Sequence, residues 1–229
     1  MAGRAGNFPG ALPVRIPQAS AENRAGTVQP IVGRRERLPP KKSLLRLAAL
    51  ALARSLPTMQ RTLLTFVDDI YEDLELWYPL LRLQEAGFGM RLAAPALKIY
   101  AGKHGYPATA DLLLADARSE DFCGLLIPGG FMPDKLRRDP KVLALTREFH
   151  EQGKLVAFIC HGGWIPISAR ILRGRKATGS LGIRDDLENA GALWVDEPVV
   201  VDGNLISSRT PRDLAPFGKA MVEFLKAKT

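Results

Sequence analysis

Cys160 and His161 stand side by side where the character of the chain changes. The stretch LVAFICHGGWIPISARIL, residues 155–172, opens on an apolar, β-branched run, turns at Cys-His-Gly-Gly and continues as WIPISARIL, a helix-like segment holding one proline. A thiol at a sharp strand-to-helix turn is carried at the top of a sheet on a strained backbone, and the first helical turn favours the thiolate. A thiolate so placed can add to an aldehyde or an acyl carbon. Gly162 and Gly163 leave room for a substrate close to the main chain, and Gly129 and Gly130, at the end of a neighbouring strand, can offer N–H groups to an oxyanion. On this reading the Cys160 thiol has a pKa well below the free-cysteine value of about 8.5 and is the thiol that peroxide attacks. The alternative is a buried core cysteine. Cys123, inside DFCGLLI with no polar company, reads as a small core filler.

An acid is expected next to the thiol. Glu72 lies where the first strand passes into the first helix, at the same edge of the sheet. A carboxyl partly buried there should keep its proton, donate a hydrogen bond to the thiolate and shuttle a proton during attack. The alternative is that Glu72 only serves the helix dipole, which Asp73 and Glu75 could do equally well. The chain has three histidines, and none follows His161. That excludes a glutamine amidotransferase triad and other hydrolases whose histidine comes late. His150, in KVLALTREFHEQG, reads as solvated surface, and His104, in GKHGY, as a turn residue able to line a site. No HExxH, CxxC, GxGxxG or P-loop spacing is present, so no metal and no cofactor is implied.

These residues need a scaffold that brings strand ends together. From residue 60 onward strands and helices alternate: RTLLTFVDD, GMRLAAP, DFCGLLIPGG and LVAFI read as strands. YEDLELWYPLLRLQEAG reads as a helix with Leu74, Tyr78, Leu81 and Leu83 near one face, stopped by Gly87, and LKIYAGKHGYPATADLLL as an inserted hairpin. DPKVLALTREFHEQG reads as a helix capped by Asp139 and stopped by Gly153. Short strands at RKATG, ALWVD, PVVVDG and NLISS, a helix at RDDLENAG and a last helix from Pro211 to Lys226 complete the pattern. Alternation of this kind implies an α/β fold with a mostly parallel sheet and helices on both faces, whose ligands bind beyond the carboxyl ends of the strands. Asp68, Asp69, Gly129, Gly130 and Cys160 all fall at such ends.

Charge divides the 229-residue chain in two. Residues 1–59 hold ten Lys/Arg and two acids, which leaves 22 of the 32 Lys/Arg and 22 of the 24 Asp/Glu to the remainder. The net +8 therefore sits in the first 59 residues, and the rest is neutral, with no electrostatic footprint for nucleic acid. Residues 1–59 read as a disordered basic extension or a mis-assigned start, with Met59 as the natural beginning; KKSLLRLAALALARS as a targeting segment, or a basic interaction arm, are the alternatives. Two cysteines are too few for a disulfide framework, which places the chain in a reducing compartment, read as the cytoplasm. No apolar run reaches the ~20 residues that span a bilayer.

The ordered set YEDLEL (71–76), GKHGY (102–106), LLIPGG (125–130), FICHGG (158–163), LRGRKATG (172–179), GIRDDLENAGALWVD (182–196) and VVVDGNLISSR (199–209) resembles the PfpI intracellular cysteine peptidases. That family shares a superfamily with the Parkinson-disease protein deglycase and has a class I glutamine amidotransferase-like fold. The resemblance implies a flavodoxin-like three-layer sandwich over residues 60–229 that assembles with itself into dimers or hexamers. It makes Cys160 the nucleophile, His161 the histidine that follows it, Glu72 the carboxyl that touches the thiol, and Gly129 and Gly130 the oxyanion-side turn. Asp134 falls where the protease members carry a glutamate reaching a neighbouring subunit's histidine. Phe131 stands where arginine is common, and Gly163-Trp164 replaces Pro-Gln, so the mouth of the site is expected to be narrower and more apolar. Three readings follow: a cofactor-independent cysteine enzyme of glyoxalase or deglycase type acting on small carbonyls, a cysteine peptidase, and a redox sensor or chaperone.

Overall fold

A computed structural model describes residues 61–228; the expectations for residues 1–59 lie outside the described residues. In chain order the elements are β1 (Thr62–Phe66), α1 (Asp73–Glu85), β2 (Gly89–Ala94), β3 (Ile99–Ala101), β4 (Pro107–Thr109), β5 (Leu112–Leu113), β6 (Gly124–Ile127), α2 (Met132–Leu136), α3 (Pro140–Glu151), β7 (Leu155–Ile159), α4 (Trp164–Ser168), β8 (Lys176–Ala177), α5 (Arg184–Asn189), β9 (Leu193–Trp194), β10 (Val199–Asp202), β11 (Leu205–Ser208) and α6 (Leu214–Lys228). Seven strands form one sheet in the order β10-β11-β7-β6-β1-β2-β5, parallel throughout except for the β10–β11 edge pair. β3 and β4 form the separate antiparallel hairpin expected from GKHGY.

The central strands are apolar on both faces because both faces are covered. In β7, Val156 and Phe158 join a core with Leu145 and Phe149 of α3, while Leu155, Ala157 and Ile159 join a second core with Phe217 and Met221 of α6. β1 and β6 divide the same way, Leu64, Phe66, Leu125 and Ile127 on one side and Leu63 and Leu126 on the other. The result is the flavodoxin-like α/β sandwich with helices on both faces of a mostly parallel sheet.

Two local expectations fail. α1 buries Glu75, Leu76, Pro79, Leu80 and Leu83, whereas Leu74 and Leu81 are more than half exposed. The sequence carries two apolar stripes on this helix, and periodicity alone does not say which one meets the sheet. The helix after Cys160 ends at Ser168 rather than running on to Leu172, and Arg170 takes a left-handed φ of 60° that no helix continues through. Asp139 caps α3 as expected, accepting from the Lys141 N–H at 2.8 Å.

The carboxyl ends of β1, β6 and β7 lie side by side, so the loops leaving them meet. Tyr71 bridges to Gly102 of the hairpin and to Gly130 after β6. Asp73 accepts the main-chain N–H groups of His104 (2.8 Å) and Tyr106 (2.9 Å), which clamps the hairpin turn against the start of α1. Asp68 and Asp69 stand at this edge but are structural: Asp68 meets Lys135, and Asp69 holds the Ala101 N–H and Lys98, the Ala101 bond chiefly keeping its carboxyl below the usual range.

Candidate active site

Cys160 opens a four-residue 3-10 turn, Cys160–Gly163, directly after β7 and has a φ of 57°. A non-glycine residue in that region is uncommon and strained, and here it sits at the end of β7 in the lining of a cleft. A second strained residue, Ile70 at φ 69°, faces the same cleft, its carbonyl held by the N–H groups of Phe131 (2.8 Å) and Met132 (3.3 Å). The cleft has a volume of about 520 Å³ and is walled by Ile70, Phe131, Trp164 and Pro211. Cys160, His161, Glu72, Glu75, Lys103, His104 and Gly130 complete its lining.

The buried carboxyl beside the thiol is Glu75, one helical turn beyond the expected Glu72. Glu75 is fully buried, and its Oε2 accepts the Gly129 N–H at 2.7 Å. Its Oε1 is also buried and makes no hydrogen bond of ordinary geometry, an oxygen left over for a proton and a partner. Burial drives the Glu75 pKa up to about 8, and the neighbouring Glu72 charge pushes the same way. Glu72 turns instead to the hairpin, 3.5 Å from Lys103 Nζ and 3.7 Å from His104 Nε2. The sequence placed an acid at the start of α1 but could not choose among Glu72, Asp73 and Glu75. The choice depends on which side of the helix meets the Gly129 turn.

The thiol also differs from expectation. Burial first, and then the Glu75 carboxylate beside it, push the Cys160 pKa up to about 12. The main-chain N–H of His161 and the hydroxyl of Ser180 pull the other way, without offsetting these effects. The helical turn after the thiol is short, so its dipole is weak against loss of solvation. Ser180 was not anticipated; nothing marks it in sequence except its place after LRGRKATG, and its own N–H reaches the Cys160 carbonyl at 3.3 Å. Cys123 donates to the Thr62 carbonyl at 3.3 Å and is raised by burial to about 11.

His161 Nδ1 lies 3.2 Å from the Cys160 sulfur. Burial, with Lys103 nearby, lowers the imidazole pKa, so the ring is neutral at pH 7 and Nδ1 can accept a proton. Its ring meets Trp164 edge-on at 5.0 Å, and the Trp164 indole N–H donates to Asp186 at 2.8 Å. Asp134 is not brought to the cleft within this chain: it pairs with Arg138 one turn along. His104 lines the cleft, whereas His150 is not solvated surface. Burial chiefly lowers the His150 pKa, with Asn204 beside the ring pulling the other way.

The glycines separate into different roles. The Gly129 N–H is committed to Glu75 and so is not a free oxyanion donor. A Cβ on Gly129 would sit 2.6 Å from Glu75 Oε2 and 2.9 Å from Cys160 Cβ, so the residue exists for close approach. Gly130, at φ 81°, lines the cleft with its backbone against Ile70. Gly162 is buried, and a Cβ there would meet the Ile127 carbonyl at 2.4 Å. It seats the turn on β6 rather than making room for substrate. Gly162→Ala should therefore cost about 1–3 kcal/mol, because a backbone carbonyl must move. A urea midpoint equal to wild type would contradict this packing role.

Glu72, Asp73 and His104 place ligand atoms within 4.8 Å of one another. Both Asp73 oxygens already hold main-chain N–H groups and Glu72 faces Lys103, so this donor set is committed to the fold.

The sequence profile of the DJ-1/PfpI family matches residues 61–224. A protein of Thermococcus kodakarensis named as a deglycase is 46% identical over 158 residues, 69% of this chain and 95% of its own. The Bacillus subtilis protein YraA, whose name gives it as a candidate cysteine protease, is 40% identical over 169 residues, 73% of this chain and all of its own. Among solved structures, a two-domain Anabaena variabilis protein with DJ-1/ThiJ/PfpI-like and ferritin-like domains superposes with a TM-score of 0.72 at 40% identity, over 73% of this chain and 48% of that one. Drosophila melanogaster DJ-1beta superposes with a TM-score of 0.69 at 25% identity, over 72% of this chain and 90% of its own.

Proposed function

Because the chain belongs to the DJ-1/PfpI family, we propose that it is a cofactor-independent cysteine enzyme acting on reactive carbonyls or their adducts, of glyoxalase or deglycase type. One juxtaposition carries the reading: a strained Cys160, a neutral His161 Nδ1 at 3.2 Å, and a buried Glu75 that holds its proton to about pH 8.

At pH 7 the resting pair of Cys160 and Glu75 holds both its protons, and the imidazole is neutral. As the sulfur approaches an aldehyde carbon, His161 Nδ1 takes the thiol proton and the S–C bond forms. The carbonyl π pair moves onto oxygen, which takes the Glu75 proton, and a hemithioacetal results. The Glu75 carboxylate is then poised to take the proton on the former aldehyde carbon. With an α-oxoaldehyde it returns that proton at the neighbouring carbon while the hydroxyl proton on the first carbon's oxygen passes to the second oxygen, giving a thioester. Water then adds to the thioester carbon and gives a proton to the Glu75 carboxylate, the S–C bond breaks, and the sulfur takes back the proton held by His161, releasing a hydroxy acid. A raised carboxyl suits both steps, because it is acid first and base second near neutral pH.

Peptidase action is the second reading, supported by the name of the Bacillus subtilis relative. Phe131 and Trp164 in the cleft walls and the pairing of Asp134 with Arg138 favour small substrates over it. A redox sensor needs a low-pKa thiol, and the raised Cys160 argues against that role. Self-association belongs to the proposal as well. The outward stripe of Leu74 and Leu81 on α1, with Trp77 and Tyr106 beside it, is an apolar surface suited to a second copy. Asp134 would reach a partner's cleft only in such an assembly.

The deciding experiment measures methylglyoxal loss without glutathione beside cleavage of a peptide, for wild type and Cys160→Ala. Methylglyoxal loss that disappears in Cys160→Ala is expected. Peptide cleavage without methylglyoxal loss would transfer the assignment to the peptidase.

A further inference from the structure

A second cavity, of about 590 Å³, lies outside the Cys160 cleft between α2, the turn after α4, and α5. Arg137, Arg170 and Arg173 line it, with Ile167, Asp186 and Asn189. Among the described residues none of the three guanidinium groups has a carboxylate partner at ion-pair distance, although most other arginines near an acid are paired. The one acid in the lining, Asp186, is engaged by the Trp164 indole N–H. Three like charges around one concavity repel one another, and that arrangement is tolerable where an anion completes it.

One of the three arginines is held at its guanidinium and the other two are placed by their backbone. Arg137 donates from Nε to Ser168 Oγ at 2.8 Å, and its guanidinium lies 5.7 Å over the Trp164 ring. Arg170 is fixed at its root by the left-handed backbone that ends the helical segment, its N–H bonded to the Ile167 carbonyl at 3.0 Å. Arg173 stands beside Gly191, where the Gly174 N–H holds the Gly191 carbonyl at 2.8 Å. The fixed Arg137 fork loses less freedom on binding, and guanidinium forks match phosphate oxygens in pairs.

We propose that this cavity binds a small ligand bearing a phosphate or diphosphate group, with Arg137, Arg170 and Arg173 as its anchors and Asn189 as a neutral hydrogen-bonding wall. The site is separate from the thiol chemistry and does not depend on which carbonyl the cleft accepts. Trp164 belongs to both places, since its ring lines the Cys160 cleft and its indole N–H holds Asp186.

The test is calorimetric titration of inorganic pyrophosphate into the full chain, into Arg170→Ala/Arg173→Ala and into Lys219→Ala. Both arginine side chains are exposed, and Lys219 is an exposed cation on α6 that controls for bulk charge. Saturable binding to wild type is expected, weakening with added salt. Affinity should fall about tenfold or more in the double variant and stay unchanged in Lys219→Ala. No saturable heat with wild type, or an equal loss in Lys219→Ala, overturns the site. So does unchanged pyrophosphate affinity in a double variant whose mass in light scattering has shifted, because the arginines would then serve a contact between copies. Thermal melts matching wild type exclude misfolding as the cause of a loss.

Discussion

Glu75→Gln should lower methylglyoxal turnover by about 10²–10⁴-fold, the usual worth of a positioned acid–base group. Glutamine fills the same volume and can still accept the Gly129 N–H through its side-chain oxygen, so the turn geometry survives. What it cannot do is give a proton to the carbonyl oxygen and take one from carbon. Glu72→Gln should cost far less, because Glu72 pairs with Lys103 and His104 at the rim of the cleft. The thiol offers a second readout that moves the opposite way. Above about pH 8 the wild-type Glu75 is ionised and holds the Cys160 pKa up; glutamine removes that charge, so iodoacetamide should label Cys160 faster in Glu75→Gln than in wild type at pH 9. Slow turnover together with a more reactive thiol separates proton transfer from nucleophile activation. A larger loss in Glu72→Gln than in Glu75→Gln would return the role to Glu72.

The same carboxyl makes stability depend on pH. Glu75 is raised from an ordinary 4.5 to about 8 in the folded chain. Below pH 4.5 both folded and unfolded forms carry the proton and the group is neutral to stability. Between 4.5 and about 8 the folded form keeps a proton that the unfolded chain has released, so stability falls as pH rises and levels off above 8. The loss is roughly 3–5 kcal/mol for a shift of this size in a fully buried group. Glu75→Gln has no proton to keep and should escape it. Urea unfolding at pH 5 and pH 8 should show the variant gaining on wild type by most of that amount. Parallel curves for the two proteins at both pH values would mean that Glu75 is ionised at little cost in the fold, and the proton-holding role would fall with it.

Much of the architecture was legible because covered strands leave a simple record. LVAFI is apolar at every position, and GLLI and TLLTF carry apolar residues on both faces, a pattern that fits a parallel sheet with helices on both sides. Gly87 after α1, Gly153 after α3 and the aspartate before α3 marked boundaries. Cys160 was also legible, since a Cys-His-Gly-Gly turn between a strand and a helix leaves few other places for a thiol. The sequence by itself therefore determined the layers, most of the order of the elements and the place of the Cys160 thiol at the end of a strand. It could not determine which face of α1 lies against the sheet. Apolar residues stripe two sides of that helix, and how it is turned about its axis decides which of Glu72, Asp73 and Glu75 faces the thiol. Nor could it set the thiol's pKa, which follows from how much solvent the assembled walls exclude and from a carboxyl 85 positions away in the chain. Only the packing of α1 on the Gly129 turn, with Asp73 clamping the hairpin, decided which acid keeps its proton beside Cys160, because desolvation and Coulomb interactions depend on distance in space and not on distance in sequence.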